Sequence, residues 1–139
     1  MSELEFVMLK PETIKQNLIS KVLERIEGSG LKIVAMKMIQ VTNKQAQELY
    51  KMHKGKRFYD KLVQNITRGP VIVMAVKGRD AVEKMREIAG ATNPRKAELG
   101  TIRADYGTSL LRNVIHSADS IENAEREIKI FFKSDEITA

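Results

Sequence analysis

Residues 112–120 read Arg-Asn-Val-Ile-His-Ser-Ala-Asp-Ser, and the rest of the chain is organised around this run. Val114 and Ile115 predict a short buried strand that delivers His116 into a polar turn, and a helix is expected to begin at about Ser120. A histidine placed between a strand end and a helix N-terminus is held by the core and still faces a cleft. This placement suits a nucleophile or a general base, and an ordinary surface histidine in a turn is the alternative.

Composition narrows the classes of protein to which the chain can belong. Its 139 residues suffice for one core, and we expect a single domain over residues 1–139. The absence of cysteine excludes disulfides, thiolate zinc sites and cysteine nucleophiles, and it fits the reducing environment of a cytoplasmic protein. No apolar run approaches the roughly 20 residues of a membrane span, and the N-terminus carries acidic residues where a signal peptide carries basic ones.

The chain is basic, with 24 Lys and Arg against 18 Asp and Glu and a net charge of +6. Such an excess favours anionic partners, namely nucleotides, nucleic acid or acidic lipid. A basic surface without any partner is also compatible with this charge, because net charge reports on solubility and non-specific attraction. Charge alone therefore leaves the partner open.

Hydrophobic periodicity predicts an α+β fold. Alternating or continuous apolar runs indicate strands, and apolar residues at helical spacing indicate helices. Strands are predicted over residues 3–10, 31–41, 71–76 and 114–115, and helices over about 18–26, 44–53, 58–68, 81–89 and 121–132. This order is β-α-β-β-α-β with additions. It predicts a ferredoxin-like sandwich with an antiparallel four-stranded sheet, a helical hairpin insertion and a long loop before the last strand.

Lys10 ends the first predicted strand on the face shared by Leu4, Phe6 and Met8. Pro11 follows and prevents an interior strand from continuing. A lysine on the buried side of a strand end is costly unless it meets an anion. Lys10 therefore either binds an anionic ligand or extends its ammonium group past the sheet rim into water.

The predicted helical hairpin can act as a lid, because its two helices are joined by a tight basic turn at residues 54–57. Thr42 and Gln45 carry the capping-box signature of the first of these helices. Phe58 follows the basic turn and is expected to be exposed. It can serve as a stacking platform for a nucleobase, or it can pack the hairpin onto the core, as most phenylalanines do.

Two later helices carry polar candidates beside their buried faces. Asp80 is predicted to cap the helix in which Arg86 flanks the apolar stripe. Arg86 can hold a phosphate or form a surface ion pair. In the last helix Glu127 borders the buried face, and Arg126 is expected to pair in solvent with Glu122, four residues earlier.

Two common nucleotide-binding motifs are absent from the sequence. No Gly-x-x-x-x-Gly-Lys-Ser/Thr run occurs, which excludes a P-loop. Gly28 and Gly30 lie after a helix and before a strand, which is the reverse of the order in a dinucleotide-binding turn, and the third glycine is missing. A nucleotide site in this chain must therefore use other residues.

Two motifs resemble those of the nucleoside diphosphate kinase family. Residues 113–120 are similar to its Asn-x-x-His-x-Ser-Asp-Ser signature, with Ala118 in place of the first serine. Residues 90–106 are similar to a second signature, with Leu99 where the family commonly has proline. Glu12 follows Lys-Pro where the family has aspartate. The resemblance extends over nearly the whole chain.

The resemblance implies a ping-pong reaction in which His116 takes the γ-phosphoryl group of a nucleoside triphosphate and passes it to a nucleoside diphosphate. It places His116, Glu127, Lys10 and Tyr50 in catalysis. The nucleotide would be bound by Lys10 and Asn113 at the sugar and phosphates, Arg86, Thr92 and Arg103 at the phosphates, Phe58 and Leu110 at the base, and His53 near the phosphates. Mg²⁺ is the implied cofactor, held mainly by the nucleotide phosphates and by no direct protein ligand.

Ala118 is the departure that bears on catalysis. By the same resemblance, a serine hydroxyl at this position supports the contact between the histidine and Glu127, and alanine cannot supply it. We expect Ser117 or a water molecule to substitute, or Glu127 to be held less firmly. The expected consequence is reduced efficiency rather than lost activity.

Two other functions are weighed against the kinase. A basic ferredoxin-like sheet can bind nucleic acid, but an RNA-recognition motif needs aromatic residues on its central strands, and residues 71–76 and 113–115 have none. A family member that acts only as a scaffold is suggested by Ala118 alone. The kinase requires neither a membrane nor nucleic acid as a partner.

A homo-oligomer is expected, and the resemblance favours a hexamer over a tetramer. The sequence itself adds one feature, the long second strand predicted over residues 31–41. Such a strand can pair with its own copy across a two-fold axis.

Overall fold

The computed structural model describes residues 2–138, so Met1 and Ala139, the two ends of the predicted domain, lie outside the described residues. The strands are β1 (Ser2–Leu9), β2 (Lys32–Ile39), β3 (Val71–Arg79) and β4 (Ile115–Ser117). The helices are α1 (Pro11–Lys15), α2 (Ile19–Gly28), α3 (Asn43–Leu49), α4 (Tyr59–Thr67), α5 (Ala81–Ala89), α6 (Ile102–Tyr106) and α7 (Ile121–Phe131). Short 3₁₀ turns cover Lys51–His53, Pro94–Lys96 and Ser134–Glu136.

The strands form one antiparallel four-stranded sheet in the order β2-β3-β1-β4. Helices pack on both faces, and α3 and α4 form the hairpin between β2 and β3. The predicted α+β architecture is therefore confirmed.

Alternation in the central strand β1 supplies a core on each face of the sheet. Phe6 and Met8 face one core, which α3, α4 and α7 complete, while Val7 and Leu9 face the other, which α2 and α5 complete. All of these side chains are fully buried. Within residues 2–138, helices cover both faces of the central strands β3 and β1. Phe6 is the one aromatic residue of these two strands and is fully buried, so they expose no aromatic ring on which RNA bases could stack.

Three strands differ in length from their predictions, and β4, with 3 residues against the two predicted, differs least. β2 has 8 residues, the same number as β1, so the expectation of an unusually long second strand is wrong. β3 continues past Val76 to Arg79, because Lys77, Gly78 and Arg79 still pair with the start of β1. The C-terminal end of β3 is therefore set by its pairing with β1, whereas the apolar run in the sequence indicated only the buried residues 71–76.

The helical predictions miss two short helices and misplace one end. α1 begins directly after Lys10, and α6 lies within the predicted long loop; each has 5 residues, too few to display helical periodicity. The helix predicted over residues 44–53 ends at Leu49, and a 3₁₀ turn continues to His53. The loop before β4 is therefore more ordered than its sequence indicates.

One of the two predicted helix caps is correct. Thr42 and Gln45 form the expected capping box at the start of α3, with hydrogen bonds of 3.0 and 3.1 Å. Asp80 occupies the cap position of α5 in a left-handed conformation, but its side chain makes no capping hydrogen bond. Glu3 of β1 accepts from the backbone N–H of Val82 instead, at 3.3 Å. A residue distant in sequence thus replaces the local cap.

Candidate active site

His116 lies within β4 and not, as predicted, in the turn that follows the strand. In β4 it pairs with Met8 of β1. Its Nε2 is 2.7 Å from Oε1 of Glu127 on α7. Because a carboxylate only accepts hydrogen bonds, this contact places the ring proton on Nε2 and leaves the lone pair on Nδ1. The side chain of His116 is 18% exposed and that of Glu127 only 5%. The imidazole therefore remains accessible while its carboxylate partner is enclosed.

Val114, two residues before His116, has a left-handed backbone with a φ of 69°. This conformation is strained for a β-branched residue. The N–H of Val114 donates to Oε2 of Glu12 at 3.2 Å. Its carbonyl accepts from the N–H of Lys10 at 2.9 Å and from the hydroxyl of Thr13 at 2.5 Å. These contacts hold the chain in the conformation that leads into β4.

Glu12 is a site residue that the sequence reasoning missed, since it was noted there only as a replacement for aspartate. Besides Val114, it contacts α4: its Oε1 accepts from Nδ2 of Asn65 at 3.3 Å and lies 3.9 Å from Nη2 of Arg68. The carboxylate is almost completely buried. Glu12 therefore connects the hairpin to the backbone that positions His116, and only its place after Lys-Pro could have drawn attention to it.

Lys10 and Asn113 form a buried polar pair beside Val114. Nζ of Lys10 is 2.8 Å from Oδ1 of Asn113, whose Nδ2 donates to the carbonyl of Thr92 at 2.9 Å. Burial lowers the pKa of Lys10 from 10.5 to about 8, and the Arg103 cation acts in the same direction. An incoming anion would reverse this shift, so Lys10 is suited to bind phosphate.

Arg103 of α6 is held against the strand of His116. Its Nη1 donates to the carbonyl of Gly90 at 2.8 Å and its Nη2 to that of Ile115 at 2.9 Å, while Nε is buried without a partner among residues 2–138. Burial lowers the pKa of Arg103 to about 10. Gly90 has a φ of 87° and packs so closely on Thr101 that a side chain would not fit. The carbonyl of Gly90 can therefore approach the guanidinium.

A cleft of about 1160 Å³ lies beside Arg103 and is also lined by Arg86, Thr92 and Ser117. It thus brings together Arg86, Thr92 and Arg103, whereas Lys10, Asn113 and His53, which were also predicted at or near the phosphates, do not line it. Arg86 is exposed and forms no ion pair in the described part of the chain, so the expected alternative of a surface pair is not observed. His116 itself does not line the cleft, although Ser117 next to it does. Several acidic side chains also line it, so the cleft is not uniformly positive.

Tyr50 packs on His116 from the end of α3. The two ring centroids are 5.8 Å apart and the rings are nearly perpendicular, at 87°. Burial raises the pKa of Tyr50, and its hydroxyl is buried with no partner in the described range 2–138. His53 lies 6.2 Å from the Tyr50 ring, and burial together with the Lys56 cation lowers the pKa of His53. The hydroxyl of Tyr50 therefore remains free to donate a hydrogen bond to a ligand.

The residues predicted to contact the base are not packed against this cluster. Phe58 is 48% exposed and Leu110 43% exposed. Phe58 makes no aromatic ring contact with any other residue that the structure describes. This exposure agrees with the expectation of an accessible aromatic and disagrees with the alternative of a core residue.

The surroundings of Glu127 differ from those expected. Ala118 is buried within the apolar core, and Ser117 makes no hydrogen bond to Glu127 within residues 2–138. Arg126, expected to pair with Glu122, lies instead with Nη2 3.5 Å from Oε2 of Glu127. Ser117, the protein substitute expected from the sequence, therefore does not contact this carboxylate, whereas the neighbouring Arg126 does.

Glu5 is a second buried carboxyl group near Glu127. Burial raises the pKa of Glu5 to about 9, and the charges of Glu127 and Asp119 add to the shift. Glu5 is consequently neutral at pH 7. It adds no second negative charge beside the pair formed by His116 and Glu127.

Residues 2–138 contain no group of three or more His, Asp or Glu side chains arranged to bind a metal ion. Over the same range, none of the helices has the length and apolar character needed to cross a membrane.

Comparison with known proteins places the chain in a family. The family model described as nucleoside diphosphate kinase matches residues 3–137. The nucleoside diphosphate kinase of Methanocaldococcus jannaschii is 50% identical over 137 residues, which cover 99% of this chain and 98% of that protein.

Solved structures agree with this match. The nucleoside diphosphate kinase of Halobacterium salinarum in complex with CDP is 41% identical with a TM-score of 0.96, and the alignment covers 100% of this chain and 93% of that one. The Aquifex aeolicus enzyme is 35% identical with a TM-score of 0.95, covering 99% and 100%. The chain therefore belongs to the nucleoside diphosphate kinase family.

Proposed function

We propose that the chain, a phosphotransferase of the nucleoside diphosphate kinase family, works through a phosphohistidine on His116. The phosphoryl group would pass from a nucleoside triphosphate to this residue and then to a nucleoside diphosphate. One observation carries the proposal: Nε2 of His116 is engaged by Glu127 at 2.7 Å, whereas Nδ1 has no hydrogen-bond partner among residues 2–138. Nδ1 is therefore the nitrogen available as the nucleophile.

In the first half-reaction the Nδ1 lone pair attacks the γ-phosphorus, and the bond from that phosphorus to the bridging oxygen breaks. The nucleoside diphosphate leaves with the electron pair, and a second nucleoside diphosphate then reverses the step on its own terminal oxygen. Positive charge builds on the imidazole during attack, and the carboxylate of Glu127 stabilises it. Because phosphoryl transfer has a loose transition state, most of the catalysis would come from positioning and charge neutralisation.

The proposed nucleotide contacts divide by chemistry. Arg86, Arg103 and Thr92 share the cleft and would hold the phosphates, and Lys10 would regain its full charge on meeting them. Phe58 offers an exposed ring for base stacking. Since a ring stacks on any base, broad nucleotide tolerance is expected.

We propose that Mg²⁺ arrives with the nucleotide as part of the substrate. Phosphate oxygens and water suit this ion, which commonly binds through substrate phosphates in such sites. Arg86 and Arg103 would supply cations that complement the remaining phosphate charge.

Labelling with γ-³²P-ATP and Mg²⁺ tests the proposal. The wild-type protein should acquire an acid-labile label on Nδ1 of His116 and release it to added GDP. His116→Ala should acquire none, while His53→Ala, the matched loss of the other histidine, should still be labelled. An unlabelled wild-type protein, or a labelled His116→Ala variant, would contradict the proposal.

The proposal takes residues 1–139 as one kinase domain that assembles into a homo-oligomer, a hexamer rather than a tetramer. β2 lies at the sheet edge and exposes Met36 and Met38, which supports pairing with a second copy. Light scattering would give the subunit number. A cytoplasmic location is part of the same proposal and can be tested by cell fractionation.

A further inference from the structure

The two carboxylate oxygens of Glu127 have different partners, His116 and Arg126. Oε1 lies 2.7 Å from Nε2 of His116, and Oε2 lies 3.5 Å from Nη2 of Arg126. The carboxylate is almost completely buried and the guanidinium is partly buried. A carboxylate in such a place is costly unless both oxygens are compensated, and a partly enclosed guanidinium is an effective compensating group.

Arg126 is itself held in place by other contacts. Its Nε is 3.4 Å from Oδ1 of Asn123, one turn earlier on α7. Its Nη1 donates to the carbonyl of Glu48 at 2.9 Å and its Nη2 to that of Leu49 at 3.4 Å. These carbonyls end α3, where a helix leaves carbonyl groups unpaired and carries partial negative charge. The guanidinium is thus fixed by groups outside the catalytic pair.

These contacts join two parts of the active site through one side chain. Leu49 is followed directly by Tyr50, whose ring packs on His116. The same guanidinium therefore contacts Glu127 on one side and, on the other, the helix end that carries Tyr50. Displacing Arg126 would free Oε2 of Glu127 to rotate and would loosen the hold of Oε1 on the imidazole.

We propose that Arg126 is a positioning residue for phosphoryl transfer, which orients Glu127 and so keeps the His116 proton on Nε2. This inference rests on the proposed function of His116. It also explains how Glu127 is oriented without a hydroxyl at residue 118, since Ala118 has no polar atom in its side chain.

The first experiment compares Arg126→Met with Lys129→Met. Methionine keeps an apolar stem of similar length and removes the charge and donors. Lys129 is an exposed cation on the same helix, with no ion pair among residues 2–138, so its variant is the matched control. We expect Arg126→Met to lower the single-turnover rate of His116 phosphorylation about tenfold, because misplaced catalytic groups cost at least that much. The dissociation constant for ADP should change less than about twofold, since Arg126 contacts no predicted nucleotide-binding residue.

A second change separates positioning from a purely structural role. Ala118 directly follows β4, and its N–H still donates to the carbonyl of Phe6 in β1 at 3.2 Å. The strand alternation therefore extends to Ala118 and puts its side chain on the same face as that of His116. Ala118 also belongs to the core layer formed with α7. A hydroxyl there faces the helix that carries Glu127, so Ala118→Ser should restore part of the rate in the Arg126→Met background. Arg126→Lys, which keeps the cation without the fork, should give an intermediate rate and provides a folded variant if Arg126→Met unfolds.

The outcomes are distinguishable. Equal phosphorylation rates in Arg126→Met and Lys129→Met would overturn the inference, as would a lower melting temperature with an unchanged rate. A slowed Arg126→Met variant that Ala118→Ser leaves equally slow would show that the loss does not act through Glu127, which also overturns it. Failure of the proposed function would appear earlier, as a wild-type protein in which His116 takes no label.

Discussion

The two sides of the His116 site are built differently. The inner side is buried and hydrogen-bonded within the chain, and it comprises Lys10, Glu12, Asn113, Val114 and Glu127. The outer side is the predicted nucleotide-binding surface, and it would comprise the exposed residues His53, Phe58, Arg86 and Leu110. The inner side is therefore organised before any nucleotide arrives, whereas the outer side would obtain its partners from the nucleotide. Changes on the inner side should reduce both rate and stability, and changes on the outer side should mainly weaken binding.

The largest effect is expected at the centre of the inner side. Glu127→Gln should lower the rate of His116 phosphorylation about 10³-fold, because a neutral amide no longer enforces the tautomer or stabilises the charged ring. Quenched-flow labelling measures this rate. Glu125→Gln, an exposed change on the same helix, should leave it unaltered; a Glu127→Gln rate within a few-fold of wild type would remove Glu127 from the mechanism.

Glu12→Ala tests whether the inner side also stabilises the fold. We expect the free energy of unfolding to fall by about 3 kcal/mol, because the substitution leaves the Val114 N–H and the Asn65 amide without their buried acceptor. Urea denaturation measures the loss. Glu24→Ala, at an exposed position on α2, serves as the control and should change the stability by less than about 0.5 kcal/mol. Equal stability of the two variants would mean that Val114 is held without Glu12.

Phe58→Ala tests the outer side. Loss of a stacking ring should raise KM for the nucleotide about tenfold, while the melting temperature stays the same because Phe58 is exposed. Steady-state kinetics with several nucleotides measures the change. Phe58→Tyr keeps a ring and should behave like the wild type. A large loss of stability in Phe58→Ala would show that this residue stabilises the fold, as the inner side does, and would contradict its assignment to the outer side.

The smallest predicted effect is the dependence of ADP affinity on pH. The pKa of Lys10 is lowered from 10.5 to about 8 in the ligand-free protein, and a bound phosphate would raise it again. ADP affinity should therefore fall severalfold between about pH 8 and 9, because Lys10 must then take up a proton on binding. Calorimetric titration of the wild type and Lys10→Met would show the difference. If the ADP affinity of the wild type did not change with pH, Lys10 would not be a phosphate-binding residue.

The lowered pKa of Lys10 also predicts how the stability of the fold changes with pH. Stability should rise with pH over the range in which ADP affinity falls. An unfolded lysine binds its proton up to about pH 10.5, whereas folded Lys10 releases it from about pH 8. The unfolded state thus holds more protons in this window, and the contribution of Lys10 to stability rises with pH across it. The trend should be absent from denaturation curves of Lys10→Met.

Much of the architecture could be read from local pattern. The period-2 alternation in β1, the apolar run of β3 and the helical stripes of α2, α5 and α7 each depend on burial of one face or both, which a short window of sequence records. The signature around His116 identified the candidate nucleophile. Glu127 was expected as its carboxylate partner beside the buried face of the last helix, and the two side chains are 2.7 Å apart. Five-residue helices such as α1 and α6 escaped this reading because they are shorter than two turns.

The sequence by itself determined the strand and helix order, the covered faces of the sheet and the residue types available at its rim, since these follow from periodicity and composition. Only the tertiary structure decided the left-handed backbone of Val114, the replacement of the Asp80 cap by Glu3 and the turn of Arg126 towards Glu127 and α3. In each case the deciding hydrogen-bond partner lies elsewhere in the fold, in Glu12, in β1 or at the end of α3. Local periodicity carries no information about such partners, because it reports which face is buried and not which polar groups meet there.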